Sequence, residues 1–457
     1  MRTSTSLALC SVCVLCTLCA GAGCIDSGAG DDGPDLGPRS SMTEAEILGM
    51  RSACAFKSGA LPGLTLPSGA PIGPELPIDT VVVIMMENRS FDHLLSDLPA
   101  AGQPDVEVAT SKHGNKDSKG VDVPFHHATG MCFRDTNHEW SGSHVEWNEG
   151  KNDGFVLANE EGSTPPDGTR AMSFYNAADL PFLYGAASTF AIADHFHASL
   201  LGPTWPNRDY LYAASSYGHS SNTIPKEKFV TLMSRLDEAN VDWHTYYESL
   251  PGIATTGMVP TAHLDSLTTF YLDAAAGELA PLVFVDPDLA DKNQGAKDDL
   301  HPPGDAQLGD EFLDKIVTAL LASPQWKRMA IFITFDEHGG LFDHVPPPSA
   351  CPPDALEPDQ PGGRFDRYGF RVPLIAISPY ARAHYVSHKS YDLTSITRFV
   401  ESRFLLPALT ARDANADPLY DLFDFSTAKF ATPPVLPKSR VDQVKLAECL
   451  QLFPKGK

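Results

Sequence analysis

The amino-acid sequence predicts an α/β fold, a three-layer αβα sandwich with a mostly parallel central sheet. Residues 81–86 and 331–335 form continuous apolar runs, the pattern of strands that are buried on both faces of a parallel sheet. Further strand patterns alternate with helical patterns along the chain, which is the order of elements in α/β proteins. The additional strands are predicted at residues 190–193, 282–285 and 372–377, and the helices include residues 309–321 and 393–404.

Polar residues directly follow both of the longer apolar runs. Glu87 and Asn88 come after the first run, and Asp336 and Glu337 come after the second. Because α/β sheets bind ligands at the carboxyl ends of their strands, these four side chains are expected to meet at one edge. Carboxylate and amide oxygens suit several divalent cations. The sequence therefore predicts one divalent metal ion, of open identity, in a site suited to phosphate chemistry.

The chain of 457 residues carries a formal net charge of −24, from 34 Lys+Arg and 58 Asp+Glu. No basic patch is visible in the sequence, which argues against nucleic acid as a partner. An anionic membrane would also repel this surface, whereas zwitterionic lipids and small phosphate esters remain compatible with it. The simpler interpretation of the charge is a solubilising surface, and the oligomeric state stays open.

Residues 1–24 have the features of an export signal. Arg2 precedes an apolar stretch at residues 7–20, and small residues follow at 20–23, where a signal peptidase would cut. The stretch is too short for a comfortable membrane span. Cys24, followed by a tether rich in Gly, Asp and Ser, also resembles the start of a bacterial lipoprotein. We therefore expect an exported protein that is periplasmic, secreted or lipid-anchored at the cell surface, and both lipidation and simple secretion stay open.

The cysteines fall into two groups on either side of Cys24. Those before it repeat with the spacing of iron–sulfur ligands, but they lie inside the predicted export signal, which argues against a cluster: Cys10, Cys13, Cys16 and Cys19. An even number of cysteines follows, which in an exported protein predicts up to two disulfides with three alternative pairings. These residues are Cys54, Cys132, Cys351 and Cys449.

Residues 202–208 follow one predicted strand and have the pattern of a helix start. Pro206 suits the first turn, and Thr204 suits the cap position. The simple interpretation of Thr204 is therefore an ordinary N-cap. The functional interpretation is a nucleophile, because a helix N-terminus offers free N–H groups to an anion and a nearby metal would lower the pKa of the hydroxyl. The segment also echoes the sulfatase motif, but threonine cannot be converted to formylglycine.

Four ordered segments carry a family resemblance, which runs from about residue 78 to residue 404. They are residues 87–93, residues 137–140 with 150–155, residues 202–208 and residues 336–345. These segments resemble the bacterial phospholipase C and acid phosphatase family. The resemblance implies an alkaline-phosphatase-like core and hydrolysis of phosphate esters. The long polar connections at residues 100–180 and 213–280 are then expected to cover the active site.

The resemblance also implies a role for each matching residue. Thr204 would be the attacking group, and His301 and His138 would serve the phosphate or the leaving group. Asn207 and Asn88 would contact phosphate oxygens, as would His138. The metal ion would be held by Glu87, Asn88, Asp336 and Glu337.

Four other residues in these segments have a structural interpretation beside the functional one. Asp92 is expected to cap the following helix, unless it takes part in the site. His338 and His344 are interpreted either as satisfied structural histidines or as site residues. Arg208 would either steady the start of its helix or reach the phosphate.

The resemblance favours a phospholipase C-like hydrolase that cleaves the headgroup phosphodiester of a phospholipid. The chain ends soon after its core, without the β-domains of phosphocholine-specific relatives, so a broad-specificity acid phosphatase is the alternative. A non-catalytic surface binding protein on the same fold is the alternative from another class. Some aromatic residues would either cradle a choline headgroup by cation–π contact or only pack: Trp140, Trp147, Trp205 and Tyr175.

The chain is thus predicted to have four parts. Residues 1–24 are the export signal, and residues 25–77 are a tether with a lead-in rich in Pro and Gly. Residues 78–412 form the catalytic phosphoesterase domain. Residues 413–457 form a C-terminal extension packed on the core.

Overall fold

The computed structural model describes residues 36–162, 167–226, 229–290 and 294–454. The predicted export signal, the lipidation of Cys24 and the first part of the tether lie outside the described residues. Among the described helices, none has the length and apolar character that a membrane crossing requires. The division of the chain into four parts stays a prediction.

A mixed sheet of eight strands forms the centre of the described chain. Its strands are β1 (Thr80–Met86), β2 (Ala191–Ala193), β3 (Trp243–Tyr247), β4 (Leu264–Ser266), β5 (Leu282–Asp286), β6 (Met329–Phe335), β7 (Leu374–Ile377) and β8 (Tyr385–Ser387). The strand order is β8-β2-β7-β6-β1-β5-β3-β4. All neighbouring strands in this sheet are parallel except that β7 runs antiparallel to both β6 and β2. The predicted mostly parallel sheet is confirmed.

The longer helices surround this sheet. They are α1 (Glu44–Ser52), α2 (Trp140–Trp147), α3 (Phe155–Gly162), α4 (Pro181–Thr189), α5 (Thr204–Ala213), α6 (Leu267–Ala276), α7 (Ala306–Ala322), α8 (Leu393–Phe404) and α9 (Gln443–Leu452). Shorter helices lie at Pro62–Thr65, Phe91–Leu95, Leu98–Ala101, Leu232–Glu238 and Ala411–Ala414. Short strand pairs join Phe196–His197 to Tyr391–Asp392, Gly114–Lys116 to Asp122–Pro124, and His126–His127 to Ser173–Phe174.

Helices cover both faces of the sheet. Helix α8 packs on α5 in one group, whereas α7 packs on α4 and α6 in another. Every residue of β1 and of β6 is buried, which requires cover on both faces because successive side chains of a strand point to opposite sides. The three-layer αβα arrangement is therefore confirmed, and the hydrophobic core lies on both sides of β1 and β6.

Two disulfides connect distant parts of the chain. Cys54 is bonded to Cys351, and Cys132 is bonded to Cys449 on α9. Of the three pairings that the sequence left open, the structure takes this one. The second disulfide fastens α9 to the segment just before the loop that carries His138.

Candidate active site

The four predicted metal-site residues lie side by side at the carboxyl end of the sheet. Strands β1 and β6 pair in parallel with Met86 opposite Phe335, so the residues that follow the two strands are neighbours. The Asn88 backbone N–H donates to Asp336 Oδ1 at 3.0 Å, and Asn88 Nδ2 donates to Glu337 Oε1 at 3.0 Å. The structure thus brings together the two polar segments that the sequence pattern places at one edge.

Asn88 occupies a constrained turn just after β1. Its φ is +69°, in the left-handed region, and a Cβ on the adjoining Gly339 would overlap the Asn88 backbone oxygen and Oδ1. Asn88 Oδ1 is buried and has no hydrogen-bond partner. Because a buried amide oxygen without a partner costs free energy, this atom is suited to a ligand that carries positive charge.

Thr204 is the first residue of α5, and its side chain faces the residue that follows β1. The hydroxyl donates to Glu87 Oε1 at 3.3 Å, and the residue is 4% exposed. The N-cap position belongs to Pro203, which makes no side-chain cap hydrogen bond. The interpretation of Thr204 as an ordinary N-cap is therefore wrong, because its hydroxyl contacts a carboxylate instead of the first turn of its own helix.

Arg208 lies one turn further along α5 and points at the same carboxylates. Its Nε donates to Asp336 Oδ2 at 2.9 Å, and its terminal nitrogens lie 3.9 Å from Glu87 Oε2 and 3.9 Å from Asp286 Oδ1. Burial disfavours the charged guanidinium, but Asp336 and Glu87 outweigh burial and raise the pKa of Arg208. Arg208 therefore pairs with the buried carboxylates of the site. It also lies in the first turns of α5, as the sequence pattern placed it.

Two histidines approach the cluster from separate loops. The rings of His138 and His301 lie 5.7 Å apart in an edge-to-face arrangement, and His138 Nδ1 lies 3.2 Å from Asn88 Nδ2. His138 Nδ1 donates to Thr136 O at 2.7 Å, and His301 Nδ1 contacts Pro302 O. Nδ1 of each ring thus contacts a backbone oxygen, whereas Nε2 of His138 lies 3.3 Å from Asn88 Nδ2 and Nε2 of His301 lies 3.8 Å from Asp135 Oδ2.

The pKa values of the two histidines are shifted in opposite directions. Burial lowers the pKa of His301, although Asp135 and Glu87 oppose this effect. Burial also disfavours the imidazolium of His138, but Glu337 and Asp135 outweigh it and raise the pKa of His138 to about 10. The pair thus combines one ring that gains a proton readily with one that loses it readily.

Asn207 does not face the cluster. Its Oδ1 accepts from the backbone N–H groups of Ser199 and Leu200 at 2.9 and 3.1 Å. Its Nδ2 donates to the backbone oxygens of Gly202 and Pro203 at 3.0 and 3.1 Å. The side chain is fully buried and holds the loop that leads to Thr204, so no contact in the structure supports the predicted role of Asn207 in phosphate binding.

Negative charge exceeds positive charge in this part of the protein. Five buried carboxylates influence one another here, against the permanent charges of Arg89, Arg208 and Lys297. The carboxylates are Glu87, Asp286, Asp299, Asp336 and Glu337. Burial raises the pKa of Asp336 to about 7 and that of Glu337 to about 8. Burial has the same tendency at Glu87, but His301, Lys297 and Arg208 prevail and lower its pKa.

A cleft of about 630 Å³ opens over the cluster. Of the predicted site residues, Glu87, His138, Thr204 and His301 line it. Asn88, Asp336 and Glu337 are fully buried next to it. The cleft also has an apolar wall, formed by Trp205, Ile224, Leu250, Pro251, Ala254 and Leu289.

Sequence reasoning missed three acidic residues of this site, Asp135, Asp286 and Asp299. Asp135 lines the cleft, and its carboxylate, with His138 and His301, forms a group whose geometry suits a metal ion. Asp286 is the last residue of β5, the strand that pairs with β1. The position of Asp286 at the carboxyl end of a predicted strand was a usable signal, whereas nothing in the sequence around Asp135 sets it apart.

Of the aromatic residues that were candidates for binding choline, Trp205 alone lines the cleft. Trp140 is buried and donates through Nε1 to Pro361 O at 3.0 Å, and the Trp147 ring lies 4.5 Å from the Arg367 guanidinium. Tyr175 is fully buried in the main core. The packing interpretation therefore fits these three residues.

The remaining candidates make structural contacts. His338 Nε2 lies 2.7 Å from Glu146 Oε2 in the interior, and His344 Nδ1 lies 2.6 Å from Asp92 Oδ2. Asp92 does not cap its helix, because the N-cap is Ser90, whose hydroxyl accepts from the His93 backbone N–H at 3.2 Å. The expectation that Asp92 is a helix cap is wrong; its carboxylate accepts from distant backbone groups instead.

Comparison with known proteins shows which proteins this chain is similar to. The chain is 32% identical over 379 residues to non-specific phospholipase C1 of Arabidopsis thaliana, covering 74% of this chain and 69% of that protein. It is 29% identical over 493 residues to phospholipase C B of Mycobacterium tuberculosis, covering 90% and 92%. A solved structure of an alkaline phosphatase superfamily protein from Vibrio parahaemolyticus covers 89% of this chain and 94% of its own, with a TM-score of 0.41 and 8% identity.

The family assignment rests on a match to a family model over more than half of the chain. The model of the phosphoesterase family matches residues 78–407, which include all the predicted site residues. The resemblance noticed in the sequence motifs is confirmed by this match and by the phospholipase C relatives. The chain belongs to the phosphoesterase family and is a hydrolase of phosphoric ester bonds.

Proposed function

We propose that this protein is a phospholipase C-like enzyme that hydrolyses the headgroup phosphodiester of a phospholipid, with Thr204 as nucleophile and one divalent metal ion. The observation that carries the proposal is the position of the Thr204 hydroxyl. It lies at the start of α5, 3.3 Å from Glu87 Oε1, in a cleft that also exposes His138 and His301. A nucleophile, an anion-binding helix start and two acid–base groups thus face one space.

The types of ligand atom in the site, and not only its negative charge, support the proposed metal ion. Glu87, Asn88, Asp336 and Glu337 offer oxygen atoms, and Asn88 Oδ1 is buried without a partner. The excess of buried carboxylates around them gives a cation a favourable environment. When bound, the ion would supply Lewis acidity to the Thr204 hydroxyl and to a phosphoryl oxygen. Hard oxygen donors accept several divalent ions, so the identity of the ion is not specified by this set.

The chain's own residues divide the reaction into two displacements. The Thr204 hydroxyl gives its proton to Glu87 and attacks phosphorus, and the bond from phosphorus to the diacylglycerol oxygen breaks. A histidine Nε2–H protonates the leaving oxygen. Water then attacks the phosphothreonine and gives one proton to the histidine that protonated the leaving group, and the Thr204 oxygen leaves with the proton that Glu87 accepted in the first displacement. Negative charge on the phosphoryl oxygens is stabilised by the backbone N–H of Thr204 and by the protonated histidine, since the Trp205 N–H donates to Asn222 Oδ1 and Pro206 has no N–H.

The apolar wall of the cleft favours a lipid over a small monoester. Ile224 is 60% exposed and Leu250 is 52% exposed, and both line the cleft beside Trp205. A small phosphomonoester would leave these side chains in water, whereas the glycerol and acyl groups of a phospholipid would cover them. The net charge of −24 favours a zwitterionic headgroup over an anionic one. The names of the phospholipase C relatives point in the same direction.

Export is proposed as well. The two disulfides suit an oxidising compartment outside the cytosol, in agreement with the signal-like residues 1–24. Lipid attachment at Cys24 and simple secretion remain alternatives, which mass determination of the mature N-terminus separates.

The test compares phosphatidylcholine vesicles with p-nitrophenyl phosphate, using one preparation with and without chelator. The proposal predicts faster hydrolysis of the lipid, loss of activity on chelation and recovery on adding a divalent ion. Faster hydrolysis of the monoester would favour the acid phosphatase alternative. Activity that survives exhaustive chelation would remove the metal from the proposal, and metal-replete protein without any turnover would support the binding-protein alternative.

A further inference from the structure

A second group of metal-binding residue types lies at the opposite end of the sheet from the cleft. Asp242 precedes β3 and His244 is its second residue, whereas His263 precedes β4. Strands β3 and β4 are parallel neighbours, so their amino ends lie together. The cleft residue Leu250 follows the carboxyl end of β3, beyond a strand of five residues that spans about 16 Å. The group is therefore separate from the candidate active site.

The geometry of this group suits one shared ion. Asp242, His244 and His263 each present a ligand atom, and these atoms lie within 4.8 Å of one another. The two imidazole rings are 5.8 Å apart and inclined at 63°. An ion that binds nitrogen at about 2.0–2.1 Å can bridge rings at this separation.

Both rings are oriented by neighbouring groups. The His263 ring stacks on Trp243 at 4.3 Å and 8°, and its Nδ1 lies 2.8 Å from the Trp243 carbonyl oxygen. His244 Nδ1 lies 3.3 Å from Asp265 Oδ2, yet it is a buried nitrogen without a hydrogen-bond partner. Protein groups that orient metal-binding imidazoles are a regular feature of metal sites. The unpaired nitrogen of His244 is an atom that coordination would satisfy.

The charge of the group also favours a cation. Among the ion pairs of the described residues, Asp242 pairs with His263 at 3.6 Å and Asp265 pairs with His244 at 3.3 Å, and neither carboxylate pairs with a lysine or an arginine. With both histidines neutral, two carboxylates therefore stand without a permanent positive partner. A different group of the same residue types, Asp92 with Asp343 and His344, contains Arg371 between its carboxylates and has no such need.

We propose that Asp242, His244 and His263 bind a transition-metal ion of the zinc type. Two imidazoles and a carboxylate are a donor set for zinc and its neighbours, in contrast to the all-oxygen set beneath Thr204. The ion joins the amino ends of β3 and β4 and thereby fastens the edge strand to the sheet. The inference does not depend on the proposed function.

The test measures zinc binding by the full chain after removal of metal. Equilibrium dialysis is expected to give one more tightly bound equivalent for wild type than for the double variant His244→Ala/His263→Ala. Zinc should raise the Tm of wild type more than that of the variant, because binding stabilises the native state. Cobalt should give the visible absorption of a tetrahedral site in wild type and a weaker band in the variant.

The matched control is His126→Ala, which removes a half-buried histidine from another part of the chain. It should keep the wild-type stoichiometry. The milder variant Asp242→Asn leaves both rings in place and should weaken zinc binding by at least about 10-fold if the double variant fails to fold. Equal zinc stoichiometry and affinity in wild type, Asp242→Asn and the double variant would overturn the proposal, as would weak zinc binding without a defined stoichiometry.

Discussion

Two buried clusters pair carboxylates with an arginine, and they differ in how completely the arginine is satisfied. Arg371 lies 3.0 Å from Asp92 and 2.8 Å from Asp343, and Nη1 also donates to the backbone oxygens of Glu107 and Asp194. Arg208 has one close carboxylate partner at 2.9 Å and two at 3.9 Å, and its Nη1 has no hydrogen-bond partner. The first cluster is closed, whereas the second leaves polar atoms unpaired beside a cleft.

The pKa values of the carboxyl groups differ within the Arg371 cluster as well as between the two clusters. In the Arg371 cluster, burial acts to raise both pKa values, but Arg371 and His344 prevail at Asp92 and lower its pKa to about 2, whereas burial prevails at Asp343 and raises its pKa to about 6. In the Arg208 cluster, burial prevails and raises the pKa of Asp336 to about 7 and that of Glu337 to about 8. A buried charge that the protein neutralises stabilises the fold, and one that it leaves in excess marks a place for a ligand. The following experiments test that contrast.

The largest effect is expected for Thr204→Val, which keeps the shape of the side chain and removes the nucleophilic oxygen. Turnover should fall by at least about 10³-fold, in the range found when a nucleophile is removed. Thr204→Ser is the matched control, because it retains a hydroxyl beside Glu87 and should keep measurable activity. Activity of metal-replete Thr204→Val close to that of wild type would remove Thr204 from its role.

Removing the arginine of the closed cluster should mainly affect stability. Arg371→Met leaves Asp92 and Asp343 buried without their cation, and the free energy of unfolding should fall by about 3–5 kcal/mol. Denaturant unfolding measures the change, with Arg382→Met at an exposed position as control. A loss below about 1 kcal/mol would mean that Arg371 does not stabilise the fold by neutralising Asp92 and Asp343.

Much of the fold was predictable because its signals are local. The continuous apolar runs at β1 and β6 identified central strands, and the polar residues after them identified the edge at which Glu87 and Asp336 meet. Strands β3 and β4 were missed within a segment interpreted as long polar connections, because β3 reads Trp-His-Thr-Tyr-Tyr and lies towards the sheet edge. The antiparallel direction of β7 depends on a long connection that no local pattern reveals.

The candidate site was predictable in its motifs and not in its side-chain contacts. Thr204 is flanked by two prolines, and helix-start rules do not decide whether Pro203 or Thr204 takes the cap position. Asn207 was placed at the phosphate by resemblance, whereas its amide binds the preceding loop. The two disulfides join cysteines that are separated by 297 and by 317 positions in the sequence. Sequence patterns carry no contact information over such separations.

A smaller effect is expected when one negative charge is removed from the Arg208 cluster. Glu337→Gln keeps the hydrogen bond that Asn88 donates and removes a negative charge from the proposed metal site. The metal concentration needed for half-maximal activity should rise by at least about 10-fold. Glu139→Gln, on the same cleft but exposed, is the control. An unchanged metal requirement would exclude Glu337 as a ligand.

The closed cluster should also respond to acid. The folded-state pKa of Asp92 lies below its ordinary value of 3.8, so its contribution is present above about pH 4 and is lost as the pH falls towards 2. The shift corresponds to about 2 kcal/mol in the free energy of unfolding. Unfolding measured between pH 2 and 5 should therefore have a smaller pH dependence in Asp92→Asn than in wild type. An equal pH dependence would contradict the charge pairing with Arg371.

The smallest effect concerns the apolar wall. Ile224→Asp should reduce hydrolysis of phosphatidylcholine vesicles by about 10-fold, because a charge on an exposed apolar surface opposes contact with lipid. It should leave hydrolysis of a soluble short-chain phosphodiester nearly unchanged, because Ile224 takes no part in the proposed chemistry at Thr204. An equal loss on both substrates would indicate damage to the cleft instead of lost lipid contact.

Trapping the covalent intermediate is the most direct test of the assignment of Thr204 as the nucleophile. Wild type and His301→Ala, mixed with a phosphocholine ester and quenched in acid within milliseconds, are digested and examined by mass spectrometry. We expect a phosphocholine adduct on the peptide that contains Thr204, with more of it in His301→Ala if that histidine assists the second displacement. Turnover without any adduct at Thr204, or an adduct on another side chain, would show that Thr204 is not the nucleophile.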